Sequence, residues 1–156
     1  MTAVATQPPR TPKGNWAVPR CPVLARQAQI GDDMQAPSAV EVVREFWRLM
    51  ATNDFDAVGA VLAPEFVLEW PQSRERIRGA ERFARMNAAY PAHGRWTYTI
   101  NRIVGDVTEA VSDASVTDRV QAARAISFFE VSEGKVWRLV EYWPEPYMRR
   151  PVEPTA

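Results

Sequence analysis

In the second half of the chain, from residue 95 to residue 143, apolar residues fall at every other position, and no feature constrains the fold more. A period of two belongs to extended chain with one face turned to a core, because successive side chains leave a strand on opposite sides. Residues 95–104 set Trp96, Tyr98 and Ile100 against Thr97, Thr99 and Asn101. Residues 107–118 and 121–131 read as two more strands, Glu133-Gly134 as a turn, and residues 136–143 as the last strand, closed by Pro144 and Pro146. Four strands with no helix between them favour an α+β fold over the parallel sheet that βαβ units build.

Upstream, the period is that of helices. Ser38-x-x-Glu41 forms a capping box, in which the hydroxyl accepts from a free amide and the carboxylate reaches back to the cap. Val43, Phe46, Trp47 and Met50 follow as the apolar stripe of a first helix. Asn53-Asp54 breaks it and caps a second, with Phe55, Val58, Val61 and Leu62 buried and Pro64 as its stop. Phe66, Leu68 and Trp70 alternate with Val67 and Glu69 in a short strand ended by Pro71. A polar loop over residues 72–78 leads to Gly79 and a third helix, with Phe83, Met86 and Tyr90 inward and Pro91 beyond. The order α-α-β-α-β-β-β-β gathers helices early and strands late, as an α+β fold does.

Composition narrows the class. Formal net charge is zero and no Lys/Arg run exists, so nothing marks a nucleic-acid partner. No apolar stretch approaches the roughly 18–20 residues a bilayer span needs, and the N-terminus lacks the apolar region of a signal peptide. A single cysteine, Cys21, makes no intramolecular disulfide, and with no export signal the expected location is cytoplasmic. Residues 1–37 hold six of the thirteen prolines and no periodicity, so a disordered tail is expected there, with Met34 as an alternative start. The domain is expected over residues 38–150, with a second short tail at 151–156.

The ordered pattern resembles the NTF2-like superfamily and, within it, the SnoaL-like, polyketide cyclase-like branch. The resemblance spans residues 38–147. It is carried by Phe46-Trp47, Asn53-Asp54-Phe55-Asp56, residues 66–70, and Ser127-Phe128-Phe129-Glu130-Val131 leading into Glu133-Gly134-Lys135-Val136. It implies a cone: three N-terminal helices packed on a strongly curved antiparallel or mixed sheet, a pocket between the layers, and a homodimer through the outer sheet face. Members include polyketide cyclases, ketosteroid isomerases, limonene epoxide hydrolases, dehydratases and many proteins that only bind, so the fold sets no reaction.

One histidine, His93, and one cysteine cannot assemble a usual metal site, and no phosphate-cradling or dinucleotide motif is present, so neither metal nor cofactor is expected. Trp47, Trp70, Tyr90, Trp96, Phe128 and Trp143 are the candidate ligand-binding walls, since such rings bury area and keep an N–H or O–H for a ligand. Arg76 is a candidate partner for a ligand carboxylate or phenolate. Glu141 and Glu69 are candidate catalytic carboxyls, because burial would raise either toward neutrality and suit it to acid–base work. Alternation sets Glu69 opposite Leu68 and Trp70. The resemblance implies an inward Glu141, since the epoxide hydrolases carry an acid at the matching place in their last strand. Those enzymes also need an Arg-x-Asp pair; here Arg119-Val120-Gln121 puts glutamine at the acid's place, which argues against epoxide hydrolysis. An isomerase would want a pocket tyrosine and an acid, for which Tyr90 and Asp118 are available. Two readings follow: a cofactor-free isomerase, cyclase or dehydratase acting on a small hydrophobic metabolite, or a non-catalytic binding or dimerisation module.

Overall fold

Ser38 opens the first helix as the capping box requires: its backbone N–H donates to Glu41 Oε2 at 2.8 Å, and its hydroxyl accepts from the Glu41 amide at 3.3 Å. The structure, a computed structural model, describes residues 35–146. The expected tail up to residue 34, the alternative start at Met34 and the segment after residue 146 lie outside the described residues. Helix α1 (Ala39–Thr52) buries Val43, Phe46, Trp47 and Met50 and ends on Asn53, whose φ of 62° is the left-handed conformation asparagine tolerates.

A second helix is not formed as expected. Ala57–Val61 makes only a short 3-10 turn, because two valines and Gly59 in five residues support no longer helix. The chain is already extended at Leu62, and strand β1 (Leu62–Trp70) runs through Pro64. Pro64 falls where pairing with the neighbouring strand lapses between Leu62 and Val67, so its missing N–H costs no ladder bond. The expected polar loop holds a second correction: Glu75–Arg78 is an edge strand, β2, paired antiparallel to β1. Helix α2 (Ala80–Ala89) follows Gly79, whose φ is 83°. Two α-helices therefore stand where three were expected.

Strands β3 (Thr97–Gly105), β4 (Glu109–Thr117), β5 (Ala122–Ser132) and β6 (Lys135–Tyr142) complete a curved six-stranded sheet in the order β2-β1-β6-β5-β4-β3. All neighbours are antiparallel except β1 and β6, which run parallel. The fold is α+β, a cone of two helices on a mixed sheet. Small inward residues, Ala110, Ser112, Ala114, Ala125 and Ser127, let α1 lie close on the concave face, where the Trp47 indole donates to Ser112 Oγ at 2.9 Å.

Two bulges decide which side chains reach the interior. Alternation along β6 from buried Val136 would turn Arg138 and Val140 inward. A register shift between β5 and β6, falling beside Trp137, reverses the parity, so Leu139 and Glu141 are buried and Arg138 is not. A shift after Ile100 does the same on β3, where Tyr98 and Ile100 and then Ile103 face the core. No described helix is long and apolar enough to cross a membrane.

Candidate functional site

The helices do not fill the concave side of the sheet. Between α1, α2 and the inner faces of the strands lies a cavity of about 430 Å³, in the size range of small-molecule sites. Phe46, Trp47 and Met50 reach it from α1, and Phe83 and Met86 from α2. Trp70 enters from β1, Trp96 from just before β3, Tyr98 from β3, and Trp143 from just beyond β6. Gln72, Ser73, Glu75, Tyr90 and Glu145 stand at its rim, all exposed.

Glu141 is the one ionisable carboxyl sunk into this wall, with 6% of its surface exposed. The indole N–H groups of Trp70 and Trp143 both donate to its Oε2, each at 3.0 Å, and Ser127 Oγ donates to Oε1 at 3.0 Å. Ser127 and Glu141 are direct cross-strand partners, so the sheet register itself makes this contact. Burial pushes the Glu141 carboxyl above the usual carboxylate range, and the bonds from Trp70, Ser127 and Trp143 oppose that rise only in part. Trp143 is fixed in turn by Gln72, which accepts from its backbone N–H at 2.7 Å and donates to its carbonyl at 3.3 Å.

Tyr98 faces the same space, its ring 5.7 Å from that of Trp47. Burial raises its phenol above the usual range, and the negative charge of Glu141 adds to the rise. Its hydroxyl has no hydrogen-bond partner among the described residues, which leaves that O–H open to a ligand. Tyr98 was legible only as one aromatic among several, since its chemical part depends on Glu141 across the sheet. Ser127 and Gln72 carry no local signal of their part at all.

Four candidate residues lie apart from the cavity. Glu69 faces the outer side of the sheet, where Arg76 pairs with it at 2.7 Å and Arg138 donates to it at 3.1 Å. The Arg138 hydrogen bond, with Arg76 beside it, holds this carboxyl below the usual range, the opposite of an acid–base group awaiting a proton. Arg76 is thus occupied on that face and offers nothing to a ligand in the cavity. Phe128 is outward too, 44% exposed and edge-to-face with Tyr142, because β5 sends Ser127 and Phe129 inward.

Asp118 is buried beside the cavity but does not line it. It accepts from the amides of His93, Val120 and Gln121 at 2.8, 2.9 and 2.7 Å and from the Gln121 side chain at 2.9 Å. Burial would raise its carboxyl, but the donors from Gln121, His93 and Val120 outweigh burial and hold it well below the usual range. It works as a clasp: Gln121 also donates to the Pro91 carbonyl at 2.9 Å, joining the loop after α2 to the β4–β5 turn. The His93 ring is exposed, as expected of a loop residue, with Nδ1 3.1 Å from Asp118.

Comparison with known proteins places the geometry in context. The family model described as SnoaL-like domain matches residues 43–139. A candidate ketosteroid isomerase from Kribbella flavida DSM 17836 is 29% identical over 73% of this chain and 83% of that one, with a TM-score of 0.66. An LEH-like epoxide hydrolase from M. tuberculosis is 24% identical over 68% and 82%, with a TM-score of 0.56. A candidate SnoaL-like polyketide cyclase from Jannaschia sp. CCS1 is 14% identical over 72% and 91%, with a TM-score of 0.57. The last two likenesses are of fold alone. No curated protein matches the chain.

Proposed function

The chain belongs to the SnoaL-like domain family, and from that membership and the carboxyl sunk in the cavity wall we propose that it binds a small, largely apolar molecule and moves a proton on it without a cofactor. The observation that carries this reading is Glu141: an acid facing a ring-walled space, raised above the usual carboxylate range by burial. A carboxyl so placed and so raised can both take and return a proton. Its ionised form would take a proton from the carbon beside a ligand carbonyl. The Tyr98 hydroxyl would donate to the oxygen on which negative charge then develops, and Glu141 would return the proton at another carbon. The net change is an isomerisation, with no atom gained or lost. The likeness to the Kribbella flavida candidate isomerase supports this reaction class.

The test works before any substrate is identified. Hydrophobic cyclic ketones that raise the melting temperature identify ligands. Exchange of their α-hydrogens for deuterium, followed by NMR, then reads proton transfer directly. Wild-type protein should catalyse exchange, and Glu141→Gln should slow it by about 10²- to 10⁴-fold while still binding. Exchange no faster than in buffer would end the catalytic reading.

One observation favours a non-catalytic binding module instead. Glu141 already holds three hydrogen-bond partners, as a purely structural carboxyl would. Bound ketones with no exchange would select that reading.

A further inference from the structure

The cavity carries charge of one sign. Glu141 stands on its wall and Glu75 and Glu145 at its rim, and among the described residues lining it there is no lysine, arginine or histidine. Arg76 is engaged with Glu69 and Arg95 with the Thr52 carbonyl at 2.7 Å, and Arg74, between Ser73 and Glu75, is not among the lining residues. The other polar groups are few, and the walls are mainly rings. Trp70, Trp96, Tyr98 and Trp143 present indole and phenol surfaces, and Tyr90, 57% exposed, extends them to the rim with its ring 6.0 Å from that of Trp96.

Ring faces are negative, so they attract cations, most strongly where water is excluded. Carboxylates without a basic counterpart add to that attraction and repel an anion, which makes the discrimination two-sided. The enclosed space makes the site, and its charge chooses among molecules that fit. Charge is also arranged by depth: the exposed carboxylates stand at the mouth, and the buried one faces the interior with Tyr98.

We infer that the ligand carries a basic nitrogen: a small apolar amine or quaternary ammonium compound whose cationic end lies at the rim against Glu75, Glu145 and the rings of Tyr90 and Trp143. Its neutral end reaches inward to Glu141 and Tyr98. The inference rests on the reading of the cavity as a ligand site, and it reverses the charge expected of a ligand meant for Arg76.

Three probes of nearly one shape and different charge test it by isothermal titration calorimetry on the full chain. They are N,N-dimethyl-2-naphthylmethylamine, its carbon isostere 2-isobutylnaphthalene, and 2-naphthylacetate. The amine should bind at least about tenfold more tightly than the isostere, and the acetate more weakly than either. The double variant Glu75→Gln/Glu145→Gln, altered only at exposed positions, should keep the isostere's affinity and weaken the amine's by about three- to tenfold. Equal affinity for amine and isostere, or a preference for the acetate, would overturn the inference and leave the cavity a ligand site. Failure of all three to bind would remove the ligand-site reading and the inference together.

Discussion

Two indoles and a hydroxyl meet on the Glu141 carboxyl, and they are not equivalent partners. An indole N–H only donates, so Oε2, which takes both, cannot also carry an acid proton. A hydroxyl can donate or accept, so Ser127 can donate to Oε1 when the carboxyl is ionised and accept from it when the carboxyl is protonated. The acid proton therefore belongs on Oε1, shared with Ser127, and both charge states are satisfied without movement of the rings. Ser127→Ala removes a bond that favours the ionised form, so the Glu141 carboxyl should titrate at still higher pH than in the wild type. Carbon-13 NMR of the labelled carboxyl reads this directly, and an unmoved midpoint would show that the Ser127 hydroxyl favours neither charge state. Only the Trp143 contact is local in sequence, two residues from Glu141. Trp70 on β1 and Ser127 on β5 are brought to it by the pairing of strands.

At the scale of elements, the parts legible in the sequence were those with a local cause. The Ser38 capping box, the α1 stripe, the Glu133-Gly134 turn and the four late strands each depend on residues a few positions apart. What was not legible came from pairing at a distance. Residues 75–78 become a strand because β1 offers an edge, and Glu69 finds Arg76 directly across it. Strict alternation cannot show that a shift beside Trp137 turns Glu141 inward, because a bulge is a property of two strands. The joint between α1 and β3 is a further case. Asn53 Oδ1 accepts from the Trp96 amide at 2.7 Å and its Nδ2 donates to the Trp96 carbonyl at 2.9 Å, fixing where Trp96 enters the cavity wall. Asn53→Ala loses both bonds and puts an alanine at φ 62°, and the sum should cost about 2–4 kcal/mol. Asn53→Gly keeps the backbone conformation and should cost about half as much. Urea unfolding midpoints at unchanged slope check both, and equal losses would mean that strain contributes nothing.

For the whole molecule, the two buried carboxyls pull stability in opposite directions with pH. Asp118 is depressed in the folded state, so its contribution is complete above the ordinary aspartate value of about 4 and is lost as pH falls through its folded value. Glu141 is raised, so its contribution is complete below the ordinary glutamate value of about 4.3 and is lost as pH rises through its folded value. The cone should therefore be most stable at mildly acid pH, above the range in which Asp118 protonates and below that in which Glu141 ionises. The variants separate the limbs. Asp118→Asn should melt well below wild type at neutral pH, since the clasp loses a carboxylate oxygen as acceptor, and the gap should narrow as the solution is acidified. Glu141→Gln keeps an oxygen for the two indoles and cannot ionise, so it should gain on wild type steadily as pH rises. Melting temperatures across the pH range decide the matter. A Glu141→Gln profile parallel to wild type up to alkaline pH would mean that the buried carboxyl keeps its ordinary titration, and with it would go the physical basis for proton transfer in this cavity.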